Sequence, residues 1–388
     1  MAADEAVPVV IATILREEGA TGVQTHVREL CGYLDRTGRT TTVVTPFSSG
    51  RLLTYPVFGL RFVLLRINNA AAVMWYLHWH RVFLTHALRR RLAKMGECVI
   101  YAQGQQEAQA ALRARTGPQQ RIVMAVHFKV SKADEWAGTM DHPIKRNGWL
   151  FRAVRRAERT VIPQVDGVVY VSEWARQALL SWLPEAAVVP SAIIGNFVTP
   201  MTGRKAEAPV RDLVTIGYLD VGKNHRFTLE VLAEAKRAGR ILTLDVFGEG
   251  VLRHELLQLT RTLGLEDQVR FLGFRKDVRE FLPDYRAYVH ASVTETSSLA
   301  IMEAMASGLP IVAGATGPLV ELLDDNVEGR FWPLDNPPKA AAILVDLLDS
   351  EPARSAAAEA ASERFRRDYD VAVVAPRLLA FFAERART

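Results

Sequence analysis

The feature that most constrains the fold is a sequence pattern near the N-terminus that is typical of a strand, a glycine loop, a helix and a second strand, in that order. The apolar run 7–14 precedes a loop with Gly19 and Gly22, and apolar residues then recur at helical spacing as far as Leu34. Continuous apolar runs indicate strands buried on both faces of a parallel sheet, and parallel strands need a crossover between them. The pattern therefore predicts a βαβ unit whose second strand lies at 40–45.

The same organisation continues and then restarts. Three more buried strands are predicted at 98–102, 122–127 and 167–171, and a second series follows at 213–218, 242–248, 269–272, 287–291 and 310–313. Between the two series, the proline-containing segment 190–212 has the composition of a linker. A chain of 388 residues is long enough for two such domains. We therefore predict an α/β protein with two Rossmann-like, doubly wound parallel-sheet domains, with the ligand site where the carboxyl ends of their strands face each other.

Charge is divided unevenly between the two halves. Residues 1–198 contain 24 Lys and Arg against 15 Asp and Glu, the rest of the chain has 24 against 28, and no acidic residue lies between Asp35 and Glu97. Basic, aromatic and aliphatic residues interleave in 60–67 and 74–84, a pattern that suits a helix at an anionic membrane interface, although core or dimer contacts give the same pattern. The charge division indicates an anionic surface or ligand at the N-terminal half, and we expect no nucleic acid, because no binding motif accompanies the charge.

The N-terminus and the cysteine count restrict the compartment. The chain begins Met-Ala-Ala-Asp-Glu, which is acidic where a secretory signal would be basic, and it has two cysteines. Basic residues interrupt every long apolar stretch. We expect a cytoplasmic protein without a membrane-spanning segment, acting at the inner face of the cell membrane.

The segment 292–310 is the most informative for function. It runs from a strand end through a small polar loop into a helix, and the free N–H groups near Ser297 to Leu299 favour an anion such as a diphosphate. Glu295 precedes this helix and Glu303 lies within it. Carboxylates accept hydrogen bonds from sugar hydroxyls, so the two could bracket an elongated polar ligand.

These residues carry a family resemblance. Glu295 and Glu303, with the run Glu-Ala-Met-Ala-Ser-Gly-Leu-Pro from 303 to 310, resemble the E-x7-E signature of the family 4 retaining glycosyltransferases. The resemblance implies the GT-B fold, with an acceptor-binding domain at 1–198, a donor-binding domain at 210–365 and a C-terminal helix, about 370–388, that returns to the first domain. It also implies that Glu295 holds the donor sugar and Glu303 the nucleotide ribose, with the loop and helix residues Thr296, Ser297, Ser298 and Leu299 between them.

Further segments resemble the family in the same order along the chain. His127, at a strand end, matches the histidine beside the reacting carbon, and Lys223 matches a lysine that neutralises the diphosphate, so the resemblance makes both catalytic together with Glu295. Tyr218 stands where the family usually has arginine, so one phosphate cation is missing or supplied elsewhere. The remaining donor-side positions that the resemblance implies are glycines and one aromatic residue: Gly22, Gly217, Gly248, Gly250, Gly273 and Phe274.

The resemblance predicts transfer of a sugar from a nucleoside-diphosphate sugar to a sugar, lipid-linked or small-molecule acceptor, in envelope glycan or natural-product synthesis. We expect no cofactor and no metal, because Asp368-Tyr369-Asp370, the one D-x-D, suits a helix cap. The expected chemistry is displacement with retention, in which the donor's own phosphate takes the acceptor proton. The alternatives are a nucleotide-sugar epimerase on the same scaffold and a non-catalytic nucleotide-binding partner subunit.

Overall fold

The computed structural model describes residues 7–16, 19, 21–128, 130–138, 144–201, 209–293 and 295–388. It forms two compact units: one runs to Gly195 and includes Ala375–Thr388, and the other is Asn196–Val374. Three predicted features lie partly outside the described residues: 202–208 of the linker, Ala20 of the first glycine loop, and Thr294 of the loop before Glu303's helix.

The first unit is built on a parallel sheet. Its described strands are β1 Val9–Ala12, β2 Thr41–Val44, β3 Cys98–Ala102, β4 Gln120–Val126, β5 Gly167–Tyr170 and β6 Ser191–Ile193, in the order β2-β1-β3-β4-β5-β6. Its helices are α1 Gly22–Arg36, α2 Arg51–Ile67, α3 Asn69–Leu92, α4 Gln105–Ala114, α5 Lys132–Gly138, α6 Trp149–Val161 and α7 Glu173–Trp182. All residues of β1, β3 and β5 are buried, as continuous apolar runs predict.

The first crossover helix begins and ends where its sequence predicts. The Thr21 side chain accepts a hydrogen bond from the Gln24 backbone N–H, and the Gln24 side chain accepts one from the Thr21 backbone N–H, which forms a capping box at α1. Gly38 follows the helix with φ +67°, a conformation that glycine adopts without steric cost.

The second unit repeats the architecture. Its described strands are β7 Arg211–Ile216, β8 Leu244–Phe247, β9 Val269–Gly273, β10 Tyr285–His290, β11 Ile311–Gly314 and β12 Gly329–Trp332, in the order β12-β11-β10-β7-β8-β9. Its helices are α8 His225–Arg237, α9 Arg253–Thr262, α10 Leu299–Ala306, α11 Leu319–Leu322, α12 Pro337–Asp349 and α13 Glu351–Asp368. Every strand pair in both sheets is parallel. The predicted fold class, two doubly wound α/β domains, is confirmed.

The last helix, α14 Val371–Arg387, contributes to the first unit. The Phe382 ring lies 5.0 Å from that of Tyr101 in β3, and a Cβ at Gly167 would lie 3.1 Å from Phe381. At its start, Asp370 Oδ1 accepts a hydrogen bond from the backbone of Ala372 at 2.8 Å. This contact confirms the capping role expected of the second aspartate of the D-x-D.

Two strands depart from the prediction. The supposed linker opens with β6, whose residues pair in parallel with β5, and it ends inside β7, so its interpretation as a linker is wrong at both ends. β6 is only three residues long and partly exposed at the sheet edge, so it lacks an apolar run. The pattern also fails to predict β12, because Gly329 and Arg330 interrupt it. Gly329 is required there: a Cβ would lie 1.7 Å from the Ile311 carbonyl oxygen.

Candidate active site

The second unit gathers charged and polar side chains at the carboxyl end of its sheet. Lys223, which precedes α8, pairs with Oε1 of Glu295, which precedes α10. Nε2 of His290, the last residue of β10, lies 3.1 Å from the same oxygen, and its Nδ1 lies 3.3 Å from the Tyr288 hydroxyl. We call Lys223, His290 and Glu295 the donor cluster. It brings together two of the three residues predicted to be catalytic.

Short hydrogen bonds fix the loop that carries Lys223. The Lys223 backbone N–H donates to Asp220 Oδ1 at 2.9 Å, which turns the chain before α8. The Gly222 carbonyl accepts from Val293 N at 2.9 Å and from Ser292 Oγ at 3.1 Å. The loops on either side of the Lys223 and Glu295 contact are thus tied to each other through the backbone.

The electrostatics of the donor cluster favour an ionised Glu295. Burial would raise the pKa of this carboxyl, but the hydrogen bond from His290 and the charge of Lys223 outweigh burial and lower its pKa to about 2. Burial lowers the pKa of His290, which is therefore neutral at pH 7. Because an ionised carboxylate only accepts hydrogen bonds, Nε2 of His290 must carry the proton, and Nδ1 faces the Tyr288 hydroxyl as an acceptor.

The N-terminus of α10 lies next along the chain. Ser298 is its N-cap residue but makes no capping hydrogen bond through its side chain, and no acidic residue lies in the first turn. The Oγ of Ser297 is enclosed without a hydrogen-bond partner among the described residues. The N–H groups at Leu299 and the two residues after it have no helical acceptor, so this end of α10 carries partial positive charge. Thr296, between Glu295 and Ser297, is partly buried.

Glu303 occupies a different environment from Glu295. It lies in the second turn of α10, with Oε1 4.0 Å from Nε of Arg279, whose guanidinium also donates to the Thr199 carbonyl. The two predicted glutamates therefore have different partners. Glu295 contacts the Lys223 ammonium, whereas Glu303 lies near a guanidinium that the motif does not include.

Two of the predicted donor-side glycines pack against backbone atoms, and a third packs against a side chain. A Cβ at Gly248, where φ is +144°, would lie 1.9 Å from the Gly217 carbonyl oxygen, and one at Gly250 would lie 2.4 Å from the Leu219 carbonyl oxygen. A Cβ at Gly217 would lie 3.4 Å from the Lys223 side chain. Close packing of the turns 217–219 and 248–250 is thus a sufficient reason for glycine at 248 and 250, independent of any ligand.

The exposed side chains beside these turns are aromatic. Gly273, with φ +73°, ends β9, and its carbonyl accepts from Gly248 N at 2.9 Å. Phe274, which follows it, and Tyr218, which stands in the position of the usual arginine, each expose about half of their side chains. Both rings are open to a planar ligand such as a nucleobase.

His225 is a buried residue of this region that the motif analysis missed. It is the first residue of α8, its ring bonds the Tyr218 backbone, and burial lowers its pKa to about 4. The motif analysis missed His290 as well, since no motif marks either histidine. The signal available was position alone: His290 lies in the predicted strand 287–291, and His225 follows the predicted strand 213–218 after a short loop.

His127, the third residue predicted to be catalytic, follows β4 in the first unit. Its Nε2 lies 3.1 Å from Gln103 Oε1, and its ring meets that of His26 edge-on with centroids 5.0 Å apart. Burial lowers the pKa of His127 to about 4, so the imidazole is neutral at pH 7. Gly22 begins α1, the helix that also carries His26. His127 and Gly22 therefore both border the carboxyl edge of the first sheet.

A buried glutamate supports the chain just after His127. The Glu158 side chain, on α6, accepts from the Lys132 backbone N–H at 2.6 Å and so caps α5, while its Oε2 has no partner among the described residues. Burial raises the pKa of Glu158 to about 7, and the Lys132 hydrogen bond and the charge of Arg155 only partly oppose this rise.

The acid-free segment forms a helical pair, α2 and α3, with an exposed apolar surface. Leu52, Leu53 and Phe62 of α2 are 94%, 66% and 70% exposed. We call the exposed side chains of α2 the α2 face: Leu52, Leu53, Tyr55, Leu60, Phe62, Val63 and Ile67. Exposed apolar patches of this kind mark interaction surfaces.

In the described ranges, no helix has the length and apolar character needed to cross a membrane. No group of three or more His, Cys, Asp or Glu side chains in the same ranges has an arrangement that could hold a metal ion.

Known protein families match residues in both units. The family described as Glycosyltransferase Family 4 matches residues 20–200, and the one described as Glycosyl transferases group 1 matches residues 210–350. The Campylobacter jejuni N-acetylgalactosamine-N,N'-diacetylbacillosaminyl-diphospho-undecaprenol 4-alpha-N-acetylgalactosaminyltransferase is 32% identical over 37% of this chain and 39% of its own length. The Streptococcus pneumoniae alpha-monoglucosyldiacylglycerol synthase is 26% identical over 48% of this chain and 46% of its own. The chain thus spans less than half the length of these curated relatives.

Solved structures share the fold over nearly the whole chain. The sucrose-phosphate synthase of Thermosynechococcus elongatus has a TM-score of 0.75 at 16% identity, covering 97% of this chain and 98% of its own. Anabaena HepE in complex with UDP has a TM-score of 0.69 at 16% identity, covering 97% and 100%. Together with the two parallel sheets, these likenesses define a two-domain protein of the GT-B class. The two glycosyltransferase family matches follow one another along most of the chain, mainly one in each unit.

Proposed function

We propose that this chain transfers a sugar from a nucleoside-diphosphate sugar to an acceptor hydroxyl and retains the configuration at the anomeric carbon. The observation that carries the proposal is the Lys223 and Glu295 contact beside the N-terminus of α10. An ammonium and free backbone N–H groups suit a diphosphate, and an ionised carboxylate suits sugar hydroxyls. A donor diphosphate would compete with Glu295 for Lys223, so binding would free the carboxylate for the sugar.

In the proposed reaction, the bond from the anomeric carbon to the β-phosphate oxygen breaks, and its electron pair goes to that oxygen. Lys223 and the α10 amides stabilise the charge that develops there. The acceptor oxygen bonds to the anomeric carbon from the same face, and its proton passes to the departing phosphate. This route needs no protein nucleophile, so Glu295 serves to accept hydrogen bonds from the sugar hydroxyls.

We also propose that the transfer needs no metal ion. The leaving diphosphate carries negative charge that a cation must offset. Lys223 supplies one full charge and the end of α10 a partial charge, while Tyr218 supplies none where the family usually has arginine. This proposal predicts full activity in the presence of a chelator such as EDTA.

The acceptor is proposed to reach the first unit from an anionic membrane surface. The α2 face offers apolar side chains for the lipid interface, and the residues 36–96 around it carry no carboxylate that would repel anionic lipid. The names of two relatives, which refer to diphospho-undecaprenol and to diacylglycerol, support a lipid-linked acceptor.

The test is an assay of the purified chain with UDP, GDP, ADP and dTDP sugars, which measures release of the nucleoside diphosphate. We expect slow release from at least one donor, acceleration by an acceptor, and an anomeric coupling constant that shows retention. Glu295→Ala should abolish release, whereas the exposed Glu266→Gln should not. Normal turnover in Glu295→Ala would overturn the assignment. An isomerised nucleotide sugar without release would indicate an epimerase, and nucleotide binding without release would indicate a non-catalytic subunit.

A further inference from the structure

A basic cavity of about 340 Å³ lies on the first unit, between α3 and α4. Arg81 and Arg89 of α3 and Arg113 of α4 line it. In the ranges that the structure describes, none of the three makes an ion pair with a carboxylate: Arg89 donates to the Arg113 carbonyl at 2.9 and 3.2 Å, and Arg81 meets Nδ1 of His78 at 3.3 Å. Three arginine side chains without a carboxylate partner therefore line this cavity, and an anion such as a phosphate group would offset their charge.

Two enclosed polar atoms in this cavity also lack partners. The Oγ1 of Thr85 and the Nε of Arg81 have no hydrogen-bond partner among the described residues. Burial and the nearby Arg113 charge lower the pKa of Arg81, so the guanidinium is held in a place where its charge is not compensated. An anion beside Arg81 would supply both the missing acceptor and the missing charge.

Arg81 also lines a second cavity, of about 270 Å³, between α3, α4 and α6. The walls of this cavity are mainly apolar, from Leu77, Trp149, Leu150 and Val154, with glutamine side chains of α4 along one side. Trp149 at the start of α6 is about half exposed, so the cavity opens to solvent beside an aromatic ring. A hydrocarbon chain would bury apolar area here at about 25 cal/mol per Å².

We propose that the two cavities form one site for a single anionic phospholipid, with the phosphate among Arg81, Arg89 and Arg113 and an acyl chain beside Leu77 and Trp149. The shared wall at Arg81 places a cationic and an apolar cavity next to each other, which matches the order of groups in a phospholipid. The inference concerns binding alone, so it depends neither on the proposed transfer reaction nor on the α2 face.

The experiment is isothermal titration of the full chain with dodecyl phosphate below its micelle concentration. Inorganic phosphate and dodecyl maltoside are the comparison probes, since each supplies only one half of the proposed ligand. We expect dodecyl phosphate to bind at least tenfold more tightly than either. Arg81→Gln should weaken binding about tenfold, and Ala153→Trp, which fills the apolar cavity, should weaken dodecyl phosphate but not inorganic phosphate.

Arg90→Gln is the matched control, because Arg90 lies on α3 outside the lining of both cavities. It should change the affinity less than twofold. Equal affinity for inorganic phosphate and dodecyl phosphate would overturn the proposal in favour of a site for free anions. An equal loss in Arg90→Gln and Arg81→Gln would overturn it in favour of diffuse charge attraction. Near-ultraviolet circular dichroism of each variant checks that the fold persists.

Discussion

In the donor cluster of the second unit, a cation forms an ion pair with a carboxylate. On α2 and α3 of the first unit, arginines instead contact groups such as an aromatic ring or a hydroxyl. Lys223 pairs with Glu295, but the Arg61 guanidinium lies 4.6 Å from the Tyr76 ring centroid and Arg91 donates to the Thr42 hydroxyl at 2.6 Å. Among the described residues, Lys223 of the second unit is therefore compensated by a carboxylate, whereas Arg61 and Arg91 of the first unit have no carboxylate partner. In the proposed function, the same residue types serve a selective site in one unit and an electrostatic surface in the other.

Two buried glutamates, Glu295 in the second unit and Glu158 in the first, also differ in their partners, and their pKa values shift in opposite directions. Glu295 has a cation and a neutral histidine beside it, and its pKa falls to about 2. Glu158 accepts mainly backbone N–H groups, and burial raises its pKa to about 7. Burial opposes ionisation in both cases, so the difference lies in the partners: the His290 hydrogen bond and the Lys223 charge outweigh burial at Glu295, whereas the backbone N–H groups and the Arg155 charge only reduce its effect at Glu158.

The largest effect should come from removing the compensating cation. Lys223→Gln takes away the charge that holds Glu295 and, in the proposed reaction, the charge that stabilises the leaving diphosphate. We expect kcat/KM for the donor to fall about a thousandfold, or about 4 kcal/mol in transition-state stabilisation. Steady-state release of nucleoside diphosphate measures it, with Lys236→Gln on exposed α8 surface as the control. A loss below tenfold would show that Lys223 does not serve the leaving group.

Replacing the other glutamate should change how stability depends on pH. Because the folded pKa of Glu158 is raised, its protonated form contributes stability below about pH 4.5, and this contribution is lost as pH rises through 7. Glu158→Gln does not titrate, so between pH 4.5 and 8 the stability of the wild type should fall by roughly 3 kcal/mol relative to the variant. Urea unfolding at several pH values measures this, with the exposed Glu185→Gln as the control. A parallel pH dependence in wild type and variant would contradict the raised pKa.

Removing the apolar side chains of the α2 face should weaken membrane binding without unfolding the unit. Leu52→Ser, Leu53→Ser and Phe62→Ser together should lower partitioning onto vesicles of phosphatidylcholine and phosphatidylglycerol about thirtyfold, equivalent to about 2 kcal/mol. Val188→Ser, Val210→Ser and Ile241→Ser is a matched triple variant at other exposed apolar positions. Vesicle flotation measures both. If the two triple variants bind alike, the α2 face is not the membrane surface.

The smallest effect should come from the histidine that positions Glu295. His290→Asn removes a hydrogen bond to the carboxylate, so the pKa of Glu295 should rise toward its usual value. A group with a depressed pKa keeps its charged form above that pKa and loses it as pH falls, so the acidic limb of kcat/KM should move to higher pH. We expect about a tenfold loss near neutral pH. The exposed His254→Asn is the control, and a loss in kcat/KM with an unmoved acidic limb would assign His290 a purely structural role.

Sequence patterning predicted the parts of the fold that depend on continuous burial. The strands at 98–102 and 167–171 lie within one residue of β3 and β5, because every residue in them is apolar or small and buried. β6 and β12 were not predicted, since an edge strand needs a neighbour more than an apolar run. Pairing between strands depends on the rest of the sheet, so the sequence of a strand of three or four residues contains too little pattern to predict it.

The candidate site was predictable to the extent that its residues follow strand ends. Lys223 and Glu295 come from different loops, and a family resemblance was needed to place them together. No spacing rule predicts that His290 would face Glu295, because the contact depends on the register of β10. Nor does the pattern predict Arg279 beside Glu303, since the two residues are joined only by the packing of the second unit.

The close packing of the turns 217–219 and 248–250 bears on how this enzyme can be re-engineered. Side chains at Gly248 and Gly250 would collide with backbone atoms, so a library that varies these positions would consist largely of misfolded proteins. The neighbouring Tyr218 and Phe274 have room for other side chains. A search for variants that accept a different nucleotide should therefore randomise these two aromatic positions and leave the glycines as the fixed frame.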